Sequence, residues 1–312
     1  MKHLIKPLLA LMLSAPISVH GFEVDGIYYE PTSDNEVMVT HSNTFETYSG
    51  DVIIPESVTN EGTTYTVTAI GYSAFQYSDG LNSVTMPNTI LTINDNAFAK
   101  CRNLMKVDIP NSVTKIGSSA FSECEKLTDV SIGNSVKTIG SDAFSNCNIM
   151  YIKIPNGVTS IGSGAFLGCV YLLGVSIPNS VTNIGNGAFS GCPNLTSIYC
   201  FILDPSRVTM GIDVFFNYSD YSSRSLFVPY GKIETYRADN RWGPYFTLIG
   251  ELDENGDVNE DETLDVNDAT AIISKVTGNM VTPFDERKAD VNGDGQCDID
   301  DVTIVISLIL GA

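Results

Sequence analysis

Basic residues, histidine and tryptophan are all scarce in this 312-residue chain: 17 Lys and Arg stand against 37 Asp and Glu, with three His and one Trp. The formal net charge of −20 makes nucleic acid and anionic lipid poor partners, because both require a positive surface. The histidines are His3, His20 and His41, and two of them lie at the extreme amino terminus, so a single imidazole is left for acid–base chemistry. No cysteine precedes Cys101, so a thiol for lipid attachment near the amino terminus is missing. Beyond the first twenty residues no apolar run reaches the length of about 20 residues that a membrane-spanning helix needs. The chain is nevertheless 43% hydrophobic, enough to bury real cores in two or three domains.

The amino-terminal stretch MKHLIKPLLALMLSAPISVHG, residues 1–21, sets Lys2 and Lys6 beside an apolar run and ends in small residues. That is the layout of a cleavable secretory signal, so export without membrane insertion is expected. Charge then marks a boundary near the other end. Residues 251–312 hold 16 acids and three bases, whereas residues 1–250 hold 21 and 14. The acidic tail is a different kind of module.

Between these ends the sequence repeats itself. IPNSVTKIGSSAFSECEKLTDVS from Ile109 is followed by IGNSVKTIGSDAFSNCNIMYIK, IPNGVTSIGSGAFLGCVYLLGVS and IPNSVTNIGNGAFSGCPNLTSIY. Phe75, Phe98, Phe121, Phe144, Phe166 and Phe189 mark the period, and Phe215 follows after a looser gap. A unit of about 23 residues cannot bury its own apolar face, so the units must stack as a solenoid. Leu127, Val130 and Ile132 read as a short strand, ended in sister repeats by Pro110, Pro155 and Pro178, which lack a ladder donor. Gly117, Gly140, Gly162 and Gly185 read as sharp turns at positive φ. The Ala-Phe that follows reads as the start of a helical or 3₁₀ turn. Cys101, Cys124, Cys147, Cys169 and Cys192 share one repeat position. Rungs about 4.8 Å apart would let neighbouring thiols bridge, but buried reduced thiols acting as small hydrophobes are the expected state. One sulfur per rung offers no tetrahedral metal site.

The pattern Ile-Pro-x-Ser-Val-x-x-Ile-Gly-x-x-Ala-Phe-x-x-Cys-x-x-Leu-x-x-Val over about residues 54–199 resembles the BspA-like, or Treponema pallidum-type, leucine-rich repeat. FEVDGIYYEP to TTYTVTAIG is similar to the β-hairpin cap that opens such proteins, and LFVPYGKIETYRADNRWGPYFTLIGEL to the cap that closes them. The resemblance implies a curved binding scaffold, often a bacterial surface adhesin, and names no ligand. The outward strand positions are mostly small and polar, without histidine or a recurring acid pair, so neither a hydrolytic triad nor a glycosidase dyad assembles there. The chain is therefore expected not to be an enzyme. Met150 and Tyr151 form the rung best suited to contact an unknown protein or glycan.

The acidic tail holds a second duplication. DVNEDETLDVND, residues 257–268, aligns without a gap on DVNGDGQCDIDD, residues 290–301, and ATAIISKVTG then lies over VTIVISLILG. Asp290, Asn292, Asp294, Asp298 and Asp301, with the carbonyl of Gln296, make an all-oxygen set of the kind Ca²⁺ prefers, wrapped by Gly295. Asp257, Asn259, Asp261, Asp265 and Asp268, with the carbonyl of Thr263, repeat it, but Glu262 replaces the turn glycine, so weaker binding is expected there. Pro283 argues against a long helix entering the second loop. Ala269, Ile272, Ile273 and Val276 on one helix, and Val302, Val305, Ile306 and Ile309 on the other, are expected to bury one another.

A doubled loop-plus-helix over about residues 255–312 resembles the type I dockerin. That resemblance implies two bound Ca²⁺ ions and docking onto a cohesin-like domain of another protein. In cellulosomal dockerins the tenth and eleventh loop positions carry partner choice, often as Ser-Thr; here they are Val266 with Asn267 and Ile299 with Asp300. The expected fold class is an α+β repeat solenoid, a leucine-rich repeat with β-rich caps, followed by a small all-α calcium-binding dockerin-like domain. Its parts are a signal peptide (1–21), an N-terminal β-hairpin cap with the start of the first repeat (22–70), the repeats (71–199), a C-terminal cap (200–250) and the dockerin-like domain (251–312). The expected function is a secreted or cell-surface binding protein, its solenoid recognising a protein or glycan and its tail docking through calcium. The competing readings are an adhesin whose calcium-bound tail is only structural, and an accessory component of a polysaccharide-degrading complex.

Overall fold

Each repeat places one branched apolar residue on a two-residue strand, and stacking these strands builds a continuous sheet. Thr92–Ile93, Lys115–Ile116, Thr138–Ile139, Ser160–Ile161, Asn183–Ile184 and Thr209–Met210 pair in parallel, each apolar residue over the one below. The computed structural model describes residues 21–41, 47–217, 224–229, 231–252, 266–279, 286–291 and 296–310. The leader expected at 1–21 lies outside them except for Gly21. At the amino-terminal end the sheet is extended by Phe22–Val24, Ile27–Pro31 and Glu36–Thr40, an antiparallel meander. Glu36–Thr40 runs parallel to Thr63–Ile70, which also pairs with Ser57–Asn60 and passes the sheet on to the first repeat strand. This is the expected β-rich cap.

A second strand in each rung forms a separate face. Ser49–Ile53 pairs with Gly80–Thr85, and Lys106–Asp108 with Asp129–Ser131. Tyr151–Lys153, Gly174–Ile177, Ser197–Cys200, Ser225–Val228 and Leu248–Glu251 then continue as one parallel five-stranded sheet. The ladder is interrupted twice, between Gly80–Thr85 and Lys106–Asp108 and between Asp129–Ser131 and Tyr151–Lys153. The second interruption coincides with the one short repeat, where Cys147-Asn148-Ile149 stands for Cys124-Glu125-Lys126-Leu127. Sister repeats close a turn there, as in Leu127 N–H to Cys124 O at 3.0 Å. The short repeat brings Ile149 into the core directly, fully buried, without that turn.

Between the two faces runs a column of phenylalanine rings, all inaccessible to solvent. Phe75, Phe98, Phe121, Phe144, Phe166, Phe189 and Phe215 stack with centroids 4.8–5.5 Å apart and planes within 10°. The spacing is close to the distance between adjacent strands. At one end Tyr48 closes the column at 4.4 Å and 39°. At the other, Phe215 meets Trp242, Tyr245 and Phe246 at 5.3–6.0 Å and 48–67°. The closing cap is a one-and-a-half-turn helix, α1 (Ile233–Ala238), and a 3₁₀ turn, Gly243–Tyr245, that seat the buried Tyr236 and Trp242.

The Ala-Phe segment is not helical. Consecutive hydrogen-bonded turns carry it, as in Ala97 N–H to Asn94 O, Ala99 N–H to Asn96 O and Cys101 N–H to Phe98 O. The expected positive φ also lies elsewhere than at Gly117, Gly140, Gly162 and Gly185. Two other columns hold it, Ser73, Asn96, Ser119, Asp142, Gly164, Gly187 and Asp213, and Tyr77, Lys100, Glu123, Asn146, Gly168 and Gly191, with φ between 53° and 70°. The glycine after Ile116, Ile139, Ile161 and Ile184 is needed for a different reason. A methyl on Gly140 would stand 2.5 Å from the carbonyl carbon of Gly117 in the rung below, so only glycine lets successive backbones approach this closely.

The tail has its own small core. Helix α2 (Val266–Val276), the single turn α3 (Glu286–Ala289) and helix α4 (Ile299–Leu310) surround Ala269, Ala271, Ile272, Ala289, Val291, Val302 and Val305. The one-turn α3 agrees with the short approach that Pro283 implied. The buried helix faces are narrower than expected: Ile273, Val276 and Ile306 are 41–43% exposed, because a pair of short helices covers only one stripe of each. The side chain of Ile309 lies outside the described residues.

Replacing Phe144 with Ala is expected to lower solenoid stability by about 3–5 kcal/mol, and Gly140→Ala by about 1–3 kcal/mol through backbone crowding. Ser119→Gly should raise it by about 0.5–1 kcal/mol, because relief of left-handed strain exceeds the entropy glycine adds to the unfolded chain. Shifts of the urea midpoint in these opposite directions check both statements.

Candidate functional site

The cysteine column is the most conspicuous chemical feature of the interior. None of the seven cysteines is in a disulfide, and those at the shared repeat position are wholly buried. Each thiol of that column donates to the phenylalanine carbonyl of the preceding rung: Cys101 to Phe75, Cys124 to Phe98, Cys147 to Phe121, Cys169 to Phe144 and Cys192 to Phe166, at 3.0–3.2 Å. The Phe121 carbonyl also accepts the Cys124 N–H at 3.3 Å. Cysteine here is a small hydrophobe with one weak donor, used to bind rung to rung. Burial pushes the thiol of Cys192 up to about 12 and that of Cys200 to about 11. Such thiols stay protonated and are poor nucleophiles.

The outward side of the second face differs on the two sides of the second interruption in its ladder. Below it lies a charged cluster: Lys106 reaches both Asp108 and Asp129 at 3.4 Å. Above it aromatic side chains stand among small residues, with Met150, Lys153 and Leu248 also exposed. Met150 is 48% and Tyr151 65% exposed. Tyr199 stacks on Phe227 of the next strand, centroids 5.2 Å apart and planes within 14°. Tyr199 was legible as outward-facing from its repeat position. Phe227 was not, because it belongs to the cap, where the period is lost.

In the tail, the described candidate ligands fall into two environments. Asp268 and Asp301 lie in the first turns of α2 and α4, thirty-three positions apart in sequence, and both are inaccessible to solvent. Asp290 and Asp298 are half-buried and Gln296 is exposed. Asp257, Asn259, Asp261, Thr263, Asp265, Asn292 and Asp294 lie outside the described residues. Both carboxylates bond to the backbone at the helix start: Asp301 Oδ2 accepts the Asp298 N–H and Asp298 Oδ1 accepts the Asp300 N–H, both at 2.9 Å. This is a capping arrangement that starts α4. Sequence reading missed it, although Asp followed three positions later by Asp before an apolar run is its signal.

The candidate partner positions are all on the surface. Val266 and Ile299 are 66% and 60% exposed, with Asn267 and Asp300 exposed beside them. The same stripe repeats on both helices: Val266, Thr270 and Ile273 on one, Ile299, Thr303 and Ile306 on the other. Thr270 donates its hydroxyl to the Val266 carbonyl and Thr303 to that of Ile299, at 2.8 and 3.1 Å. Two equivalent apolar stripes on so small a unit are more than its own core uses. Among the described residues no helix is long and apolar enough to cross a membrane.

Comparison with known proteins matches residues 55–173 and 137–236 to the BspA type leucine rich repeat region, in six copies. Residues 255–310 match the dockerin type I domain. Among solved structures, the chain is similar to a T. pallidum leucine rich repeat protein, with 29% identity, a TM-score of 0.52, and coverage of 60% of this chain and 84% of that one. It is also similar to a leucine-rich repeat protein from Bacteroides ovatus, with 25% identity, a TM-score of 0.49, and coverage of 74% and 67%. No curated protein matches the chain.

With the repeat thiols sealed in the core, a thiol-specific reagent at neutral pH is expected to modify Cys297, which is half-buried, well before any other cysteine. Stability should fall as pH rises above 9, the ordinary thiol value, toward 11–12. The unfolded chain ionises Cys192 and Cys200 in that window and the folded chain does not. Mass spectrometry of labelled peptides and denaturation at pH 8 and pH 10.5 test both.

Proposed function

Because the chain belongs to the BspA-type leucine-rich repeat family and carries a dockerin type I match at its end, we propose that it is a secreted or cell-surface bacterial binding protein with two working surfaces. Both matched families are generally non-enzymatic, and the role they support is interaction. In this reading the solenoid recognises a protein or glycan through its second face. Residues 251–312 form a separate module that docks onto a cohesin-like domain. The divisions at 21, 70, 199 and 250 are the working boundaries.

The observation that carries the docking reading is the pair of wholly buried carboxylates, Asp268 and Asp301, at matching places beneath matching exposed stripes. A carboxylate out of reach of water is costly unless its charge is met. An all-oxygen donor set with one such group in each of two loops suits calcium, which dockerin type I domains generally bind. Asp290, Asn292, Asp294, Asp298 and Asp301, with the Gln296 carbonyl, would hold one ion. Asp257, Asn259, Asp261, Asp265 and Asp268, with the Thr263 carbonyl, would hold the other. The ions would supply charge neutralisation and fix the loops that start both helices. Val266, Asn267, Ile299 and Asp300 would then face the partner.

The backbone bonds that the Asp298 and Asp301 carboxylates accept at the start of α4 favour one competing reading, a tail that only finishes the chain. Full-length protein bound to an immobilised cohesin module separates the two. Docking predicts capture in calcium, release by chelator, and loss in Asp268→Ala, in Asp301→Ala and in the Val266→Asp, Ile299→Asp pair. Capture indifferent to chelator, or none at all, would overturn it. At free calcium about a hundredfold above Kd, each occupied site should also stabilise the tail by roughly 2.7 kcal/mol.

A further inference from the structure

We propose that the upper half of the solenoid's second face is a binding platform for an uncharged glycan, whose pyranose rings pack against Tyr151 and against the Tyr199–Phe227 pair. The inference rests on the reading of this face as the ligand surface and gives its chemistry. Two glycines shape the platform. On the strand beside Tyr151 the facing residue is Gly174, where a methyl would stand 3.1 Å from the Tyr151 ring. Beside Phe227 the facing residue is Gly250, where a methyl would stand 3.5 Å from that ring. In each case the strand neighbour that would cover one side of the ring has no side chain. Phe227 is stacked on its other side by Tyr199 and remains partly exposed.

Charge and polarity select among possible occupants. Among the side chains described on Tyr151–Lys153, Gly174–Ile177, Ser197–Cys200, Ser225–Val228 and Leu248–Glu251, Lys153 alone is charged. The ion-paired residues Lys106, Asp108 and Asp129 lie on the other side of the second ladder interruption. The outward small residues Ser176, Ser197 and Ser225 place hydroxyls between and beside the rings. Aromatic faces for the C–H surface of a sugar, hydroxyls for its hydroxyls, and little charge match a neutral oligosaccharide. An acidic polymer would find one ammonium on a chain of net charge −20. Tyr151 and Tyr199 are separated by two strand spacings and two residues, roughly 9.6 Å across and 6.6 Å along, room for more than one ring.

The test is calorimetric titration of the full-length protein in calcium with cellohexaose, mannohexaose and maltohexaose, and with an oligogalacturonate as the charged control. At least one neutral hexaose is expected to bind and the oligogalacturonate not to. Tyr151→Ala, Tyr199→Ala and Phe227→Ala should each weaken binding about three- to tenfold, while Lys106→Ala leaves it unchanged. Gly250→Ala keeps every aromatic ring and sets its methyl at an ordinary contact distance from Phe227, so it should fold normally and weaken binding by covering that side of the ring. Absence of binding by all three neutral sugars, preference for the oligogalacturonate, or indifference to these substitutions would overturn the proposal. An immobilised denatured-collagen probe, run in parallel, keeps the two readings apart. Capture that depends on Tyr199, without sugar binding, rejects the glycan and retains the face as a ligand surface; neither activity rejects both.

Discussion

Everything in the solenoid follows from the need to keep successive rungs at one strand spacing. Hydrogen bonds of the two ladders set that distance at the surface, and the phenylalanine column meets it in the interior with rings 4.8–5.5 Å apart. From the second repeat strand on, a rung obeys it by letting its backbone touch the one below, hence glycine after Ile116, Ile139, Ile161 and Ile184. It must also leave no cavity between the faces, hence a large flat side chain in every rung. The cysteine thiols add a side-chain bond across the same distance. Because each rung is held chiefly by its neighbours, the ends require closure. Tilted aromatic residues at Tyr48 and around Trp242 replace the next stacked ring.

Much of this was legible in the sequence because a repeat makes every physical requirement visible several times. The phenylalanine period, the burial of the cysteines and the outward positions of each strand could be taken from one rung and transferred to all. What could not be transferred were the reasons attached to single residue types. Gly117 and Gly140 read as left-handed turns, whereas crowding from the rung below is their constraint. The left-handed positions are filled partly by Ser119, Glu123 and Lys100, residues whose identity gives no sign of φ. The Ala-Phe turn read as helical because alanine favours helix, but the segment is too short to nucleate one and is held by bonds to adjacent rungs.

The tail shows the same division. Its duplication, its apolar helices and its acidic positions stand out in the sequence, and the helices lie where the loops end. The width of the buried stripe was overestimated at Ile273, Val276 and Ile306, since periodicity counts apolar residues without knowing how many faces will be covered. The capping role of Asp298 and Asp301 was overlooked because the same residues already fitted a cation-binding pattern. A carboxylate at a helix start can serve both purposes, stabilising the first turn and presenting oxygen to an ion.

The short repeat separates two kinds of position within one rung. The loss of a residue between Cys147 and Ile149 coincides with one break in the outer ladder, yet Phe144 and Phe166 still stack at 5.4 Å and 7°. Length changes in that one connection are therefore absorbed at the periphery and never reach the axis. A chain built this way can acquire new surface relief by indels alone, with no compensating substitution in its interior.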